Sequence, residues 1–572
     1  MSITAETAKA HAKDPAVLCC RAEEGITIEA ANLEDPAIFD DLVDSGLLNL
    51  EGVLTIEQVL GAKLKKTCDS LTALTPDVVE GYKEASAEEP VKEETAEEEA
   101  PAVQPEVPAP APAAVPGGVF KLHIGEGKDI NLEIPVGIMG GSAVAAAPAP
   151  VAVAAAPAAE EKEARVMGTL TRKHFKITEV KRGPETKIDG TVLYIREGIE
   201  EEAAAGQELV NSLKIDIITP EMYHTYSNTI MDVQPIATKE GEAEIGNGVT
   251  RVLDGVVMMV TGTDANGVQI GEFGSSEGYL DENIMWGRPG APDKGEIFIK
   301  TEVIIKEGTN MERPGPLAAH TATDVITQEI REALKKLDDS LVVDTEEFEH
   351  LRHPGKKKVV IVKEIMGQGA MHDNLILPME PVGVLGAKPN VDLGNVPVMT
   401  SPLEVLDGCI HALTCIGPAS KEMSRHYWRE PLVLEALHDE ELDLCGVLFV
   451  GSPQINAEKF YVSKRVGQTV EALDVDGAFI TTEGFGNNHI DFASHHEQIG
   501  KRGIPVVGLS FCAVQGALVV GNPYMTNMVD NNKSESGIEN EVLACNTLCK
   551  EEAVRAIAML KAAMAGEEVK PA

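Results

Sequence analysis

The stretch GAFITTEGFGNNHIDFASHHEQIGKRGIPVVGLSF, residues 477–511, decides the fold of the chain's last half. GAFITT and IPVVGLSF are continuous apolar runs of the kind buried on both faces of a parallel sheet. Between them, HIDFASHHEQIGKRG fits a helix, entered through a glycine-containing turn. KKKVVIVKEIMG (356–367) and LCGVLFVGSP (444–453) repeat the strand reading, and NAEKFYVSKRVGQTVEAL (456–473) the helical one. Right-handed crossovers between such strands predict a doubly wound α/β domain with a parallel sheet.

In open parallel sheets ligands sit outside the carboxyl ends of the strands. Three predicted strand ends carry polar loops: GQGAMHDN (367–374), GSPQIN (451–456) and EGFGNNH (483–489). In the third, Gly484 and Gly486 permit close backbone approach, and a helix starting near His489 offers N–H groups to an anion. Gly484, Gly486 and Asn487 are therefore candidate substrate-binding positions, suited to an amino-acid carboxylate. A tight turn that needs glycine accounts for them equally well. Glu483, His489, Asp491 and His495 are candidates for base, orienter or ammonium binder. Asp491 and His495 are spaced i, i+4, which sets a carboxylate beside an imidazole on one helix face. The commoner reading is a solvated helix side with His495, His496 and Glu497 exposed. The same cluster can be read as metal ligands, but no motif such as HExxH occurs, so no metal is expected.

Outward from this core, FKITEVKRG (175–183), TVLYIRE (191–197), LKIDIITP (213–220), GVTRVLDGVVMMVTG (248–262) and EIFIKTEVIIKEG (296–308) read as strands between Gly-rich turns. They predict a β-rich domain over 165–310. A helix, TATDVITQEIREALKKL (321–337), then opens the α/β domain, 311–572. Residues 1–82 form a small unit with helical pattern in LEDPAIFDDLVDSG and LTIEQVLGAKLKKTCDSL. Residues 83–164 are Glu-, Ala- and Pro-rich linkers too poor in apolar surface to order themselves. They flank GGVFKLHIGEGKDINLEIPVG (117–137), which reads as a β-hairpin. Its Lys121 and Lys128 lie in no carrier motif, so the segment is read as a tether. The expected class is a multidomain chain, α/β and α+β: a small helical N-terminal unit, a β-rich middle domain and a C-terminal parallel α/β sheet.

A net charge of -43 over 572 residues opposes binding to nucleic acid, whose phosphates it would repel. MSITAETAKAHAKDP lacks the basic and apolar regions of a signal peptide. The tract Ser142–Ala159 is interrupted by prolines and is only weakly apolar, so no transmembrane segment is expected. A cytoplasmic protein follows, free or peripheral to a membrane. Nine irregularly spaced cysteines without a CxxC pair suggest neither a disulfide framework nor a zinc ribbon. Cys545 and Cys549, four apart, are expected as core positions on an amphipathic helix.

The segment SPLEVLDGCIHALTCIGPASKEMSRHYWREP (401–431) holds the remaining candidates. Cys415 follows the β-branched Thr414 in an apolar setting, where a cysteine is more often a core residue. His411 stands four residues earlier. In a helix the two would share a face, and the imidazole could activate the thiol. A hydrogen-bonded core histidine is the commoner outcome.

HALTCIGPASKE (411–422), ITEVKRGPETKIDGTVLYIREGIE (177–200) and TEGFGNNHIDF (482–492) change that balance. The chain resembles D-proline reductase proproteins over essentially its whole length. Its middle and later blocks are similar to component B of glycine, sarcosine and betaine reductases. The resemblance implies a self-catalysed split between Thr414 and Cys415. The fragments, 414 and 158 residues long, would stay together in a hetero-oligomer. Cys415 would become a covalent pyruvoyl group. Glycine-type relatives split at Asn-Cys, so the Thr-Cys pair favours proline as substrate.

The same resemblance implies reductive ring opening of D-proline to 5-aminopentanoate after its secondary amine adds to the ketone. The nucleophile would be a selenolate on a separate selenocysteine-containing subunit, regenerated by a dithiol or an electron-donor protein. This chain has no selenocysteine, and Cys409, Cys445 and Cys512 are the internal thiols that could stand in. Two alternatives remain open: a component B-like enzyme acting on glycine, sarcosine or betaine, and an unprocessed amino-acid-binding scaffold paralogue.

Overall fold

A computed structural model describes the chain outside residues 1–4, 20–21, 23–24, 35, 37–38, 40–49, 51, 69–71, 84–118, 125–129, 136–163, 271–276, 311–313, 366–374, 377–394, 412–422, 454–455, 483–487, 513–517, 519, 538–541 and 567–572. It divides into two compact units, Met1–Glu160 and Glu161–Ala572.

In the first unit, Leu18, Ile28, Leu33, Ile56, Val59, Leu64, Leu74 and Val79 form a small buried core. The helical pattern of 54–71 yields the single turn Ile56–Val59. Gly61 then takes φ 86, a left-handed conformation that stops helices. Lys63–Leu64 continue as a strand paired with Val79–Glu80. The expected hairpin forms, Val119–Ile124 antiparallel to Ile130–Pro135.

The second unit begins with β1 (Arg165–Lys176), β2 (Val210–Ile218), β3 (Ile230–Gln234), β4 (Ala237–Lys239), β5 (Gly248–Asp254), β6 (Val256–Asp264), β7 (Ile297–Ile305), α1 (Pro314–Leu334) and β8 (Val342–Arg352). These strands make two four-stranded sheets, ordered β3-β6-β7-β2 and β4-β5-β1-β8. In each, the central pair is parallel and the outer pairs antiparallel. The helix α1 lays Ala319, Ala322, Ile326 and Ile330 on Met258, Val260, Ile299 and Val303. Burying each larger aliphatic side chain contributes about 1.5–3 kcal/mol. Because β8 pairs with β1, the β-rich segment and the segment after it share a sheet.

The chain continues through β9 (Lys357–Ile365), β10 (Val398–Thr400), β11 (Ile410–His411), α2 (Ser424–Trp428), α3 (Pro431–His438), β12 (Leu442–Gly451), α4 (Asn456–Leu473), β13 (Gly477–Thr482), α5 (Asn488–Gly500), β14 (Val506–Ser510), β15 (Met528–Asp530) and α6 (Lys550–Met564). Here the sheet order is β10-β12-β9-β13-β14-β15. All of these strands run parallel except the edge strand β10. Side chains alternate between the faces of a strand. Val360, Val362, Leu448 and Ile480 pack on Val462 and Val466 of α4 and Phe492 and Ile499 of α5. Val359, Ile361, Phe479 and Leu509 pack on Leu432 and Val433 of α3 and Ala556 and Leu560 of α6. Helices therefore cover both faces, as the apolar runs predicted.

The five parallel strands follow the spatial order 2-1-3-4-5 in chain sequence. The winding reverses between β9 and β13, and open sheets of this order take their ligands in a crevice at the carboxyl ends of the two strands where it reverses. Glu364 and Thr482 are register partners at that end. Among the described residues, no helix is long and apolar enough to cross a membrane. Cys545 and Cys549 are buried, as expected, but not on a helical face. Cys549 is the N-cap of α6 and Cys545 lies in the turns before it, because the helix begins only at Lys550.

Candidate functional site

Thr414 and Cys415 lie outside the described residues, but the chain on either side of 412–422 is firmly held. On the upstream side Asp407 is buried against Lys239, 2.6 Å away, and accepts from Thr250 Oγ1 at 2.5 Å and Gly246 N at 2.7 Å. On the downstream side Lys363 meets Glu430 at 2.7 Å in a second buried pair. Two residues reach both sides. Arg172 Nη2 donates to the Leu406 carbonyl and, at 2.9 Å, to the Trp428 carbonyl, with its guanidinium 4.0 Å from the Trp428 ring centre. Asp232 accepts from Ser424 N at 2.8 Å and Ser424 Oγ at 2.7 Å, and its Oδ2 lies 3.9 Å from His411 Nδ1. The described residues on the two sides of 412–422, His411 and Ser424, thus meet at one carboxylate.

Asp232 owes its position to β3, where the register slips between Ile230 and Asp232. Such a bulge re-aims a side chain. Gln234, two residues on, donates to the same carboxylate at 2.9 Å. His320 and Asp324, four apart, share one face of α1 and reach the same place. His320 Nε2 is 3.9 Å from Asp232 Oδ2, and Asp324 Oδ1 is 3.4 Å from His411 Nε2. Asp232, His320 and His411 are all fully buried, and Asp324 is 2% exposed.

Burial dominates the electrostatics here. It pushes the Asp232 carboxyl up to about 6, against the pull of His411 and the hydrogen bonds from Ser424 and Gln234. Burial, helped by the neighbouring His411, pushes His320 down to about 3, so that imidazole is neutral. Its Nδ1 donates to the Pro316 carbonyl at 2.8 Å, as the helix geometry dictates.

A second cluster lies at the carboxyl ends of β9, β13 and β14. Glu364 is buried, with Asn488 Nδ2 at 3.5 Å and His495 Nε2 at 3.7 Å. His489 Nε2 is 2.8 Å from Ser510 Oγ. Beside them Asp491 is paired with Lys459, and Ser452 bonds to both. These groups lie where the order of strands predicts a ligand.

Of the sequence candidates, His411 and His489 are placed in these two clusters. Glu483, Gly484, Gly486 and Asn487 lie outside the described residues. His411 belongs to β11, so the helical pairing with Cys415 does not start from it. Asp491 takes Lys459 as its partner instead of His495, because a buried carboxylate gains most from an opposite charge. His495 turns to Glu364. His495 and His496 are fully buried rather than solvated, whereas Glu497 is exposed. Burial pushes His495 to about 3 and His496 to about 4. The internal thiols are poor nucleophiles: burial pushes Cys409 well above its ordinary value, Cys445 to about 11 and Cys512 to about 12. Sequence reasoning passed over Asp232, His320, Asp324 and Glu364. The one signal for Asp232 was a charge set in the apolar strand IMDVQ.

Comparison with known proteins places the sequence in a family. Residues 168–518 match the family described as glycine/sarcosine/betaine reductase component B subunits. The D-proline reductase proprotein PrdA of Acetoanaerobium sticklandii is 70% identical over 582 residues, spanning 100% of this chain and 92% of its own length. The glycine reductase complex component B subunits alpha and beta of the same organism are 26% identical over 353 residues, 58% of this chain and 77% of theirs. The sarcosine reductase complex component B subunit alpha of Peptoclostridium acidaminophilum is 23% identical over 352 residues, 58% and 76% of the two chains. No solved structure matches the chain significantly.

Proposed function

This chain belongs to the glycine/sarcosine/betaine reductase component B family, and from that premise we propose that it is a reductase proprotein that cuts itself at Thr414-Cys415 and acts on D-proline. The observation that carries the reading is the convergence of both flanks of 412–422 on Asp232 and Arg172. A peptide bond that must be strained and attacked from within needs its two ends held, and these clamps are buried.

In maturation the Cys415 sulfur adds to the Thr414 carbonyl and displaces its own amide nitrogen, giving a thioester. Elimination across Cα–Cβ releases a thiocarboxylate on Thr414 and leaves dehydroalanine, whose imine tautomer takes up water and loses ammonia. Water then replaces sulfide on Thr414, so two waters enter and one ammonia and one hydrogen sulfide leave. His411, held between Asp324 and Asp232, is assigned to positioning the upstream end.

The buried clamps suit an electrophile that must be kept from bulk water. A ketone at the head of the 158-residue fragment supplies electron withdrawal at the amine nitrogen, which eases cleavage of the Cα–N bond. Glu364, in the crevice beside Asn488, is assigned to the ammonium side of the amino acid. Residues 483–487 and the first N–H groups of α5, next to His489, are assigned to its carboxylate. Two electrons and two protons are needed to open the ring to 5-aminopentanoate. With the internal thiols raised, they are assigned to a selenocysteine-containing partner, recharged by a dithiol or an electron-donor protein. The 70% identity to a D-proline reductase proprotein, against 26% to a glycine-type relative, supports proline over glycine.

Denaturing electrophoresis and the intact mass of the smaller fragment test the reading. Two bands and a fragment lacking the Cys415 amine and thiol are expected, with D-proline consumed in the presence of the selenoprotein and a dithiol. A single full-length band, or an unmodified Cys415, overturns it.

A further inference from the structure

The geometry around Asp232 goes beyond this reading: we propose that Asp232, His320 and His411 bind one divalent transition-metal cation of the zinc type. One ligand atom from each lies within 4.8 Å of the others, and all three residues are fully buried. Among the described residues, His320 Nε2 and His411 Nδ1 have no hydrogen-bond partner, and each lies 3.9 Å from Asp232 Oδ2.

The outer nitrogens fix which atoms face inward. His320 Nδ1 is engaged by the Pro316 carbonyl at 2.8 Å and His411 Nε2 by Asp324 at 3.4 Å. Metal-bound histidines are held in this manner, with the second ring nitrogen donating to a carbonyl or a carboxylate. In these tautomers both inward nitrogens present lone pairs, and ionised Asp232 presents a third acceptor. Asp232 already accepts from Ser424 and Gln234, so the two imidazole nitrogens are the acceptors left unmet, and a cation beside the carboxylate meets both.

Zinc sits about 2.0–2.1 Å from imidazole nitrogen and about 2.0–2.2 Å from carboxylate oxygen, so ligand atoms 3.9 Å apart need only small inward shifts. Two imidazoles and one carboxylate suit zinc or ferrous iron better than calcium or magnesium, which prefer oxygen. The three ligands come from β3, α1 and β11. The bound ion would tie them together at the last described residue before the span that contains Cys415.

The site does not depend on self-cleavage, and the experiment separates the two ideas. Full-length protein is purified as wild type and as Cys415→Ala, and metals are measured by mass spectrometry. About one zinc or iron per chain is expected in both. His320→Ala should lose it, while Cys549→Ser, which breaks the Cys549, Glu551, Glu552 group, should keep it. Because His320→Ala could misfold, wild type stripped by chelator is also titrated with Zn²⁺. A rise in Tm of several degrees is expected, and cobalt in place of zinc should give visible absorption bands of a nitrogen- and oxygen-ligated ion. Wild type without stoichiometric metal and without response to Zn²⁺, or folded His320→Ala that retains its metal, overturns the proposal.

Discussion

Ser424 gives both its backbone N–H and its hydroxyl to Asp232, at 2.8 and 2.7 Å, across 192 residues of chain. Ser424→Ala removes the hydroxyl and leaves the N–H in place. Slower appearance of the two fragments on a denaturing gel is expected, with stability lowered by about 1–2 kcal/mol in urea titrations. Unchanged processing would deny the clamp a role.

Arg172→Lys keeps the charge but gives up the paired carbonyl contacts at Leu406 and Trp428 and the stacking on Trp428. Arginine and lysine are not interchangeable at such a position. A loss of about 2–4 kcal/mol and slower processing are expected, read from the urea midpoint and the gel. Wild-type values for both would remove Arg172 from the account.

Cys415→Ala should stay whole and turn over no D-proline, while keeping the wild-type melting temperature to within a few degrees. Product formation by this variant, followed as 5-aminopentanoate, would end the assignment of the ketone to that position.

Glu364→Gln keeps the shape of the crevice and removes the charge beside Asn488. Processing should proceed, and KM for D-proline should rise about tenfold or more, equivalent to about 1.4 kcal/mol. A normal KM with a lowered kcat would move Glu364 from binding to the chemical step.

Stability should also fall on the alkaline side through His174, which bridges β5 and β8 by bonding Asp254 at 2.9 Å and Glu346 at 3.1 Å. Burial alone would lower its pKa, but these two carboxylates outweigh burial and raise it from 6.5 to about 9. Below pH 6.5 the proton is bound in folded and unfolded chains alike, and the contribution is complete. Between pH 6.5 and 9 only the folded chain keeps the proton, so rising pH erodes the contribution, which is gone above pH 9. With screening through the partly exposed partners, about 1–2 kcal/mol is expected. Urea titrations at pH 6 and pH 9.5 on wild type and His174→Gln measure it, the variant showing the flatter profile.

The parallel sheet was legible because VVIVKEI, VLFVG and AFITT are continuous apolar runs, and α4 fell on residues 456–473 as its pattern required. The hub was not legible. Asp232, His320 and His411 come from three elements distant in sequence, and no periodicity links them. The i, i+4 spacing of Asp491 and His495 marked neighbours on a helix but could not reveal Lys459, which lies on a different helix and wins the carboxylate by charge. Gly61 shows a third kind of gap: the apolar spacing of 54–71 suits a longer helix, and one left-handed residue ends it after a turn.

The place of β9 carries a mechanical consequence. It lies between β12 and β13, and among the described residues those two strands pair with it and not with each other. Any break within 412–422 leaves β9 on one polypeptide and both of its neighbours on the other, so the products are interlocked rather than merely docked. Pulling them apart means tearing the sheet through its middle. The halves of one molecule should therefore not trade places with those of another under native conditions, and co-elution on a sizing column would look the same before and after the cut.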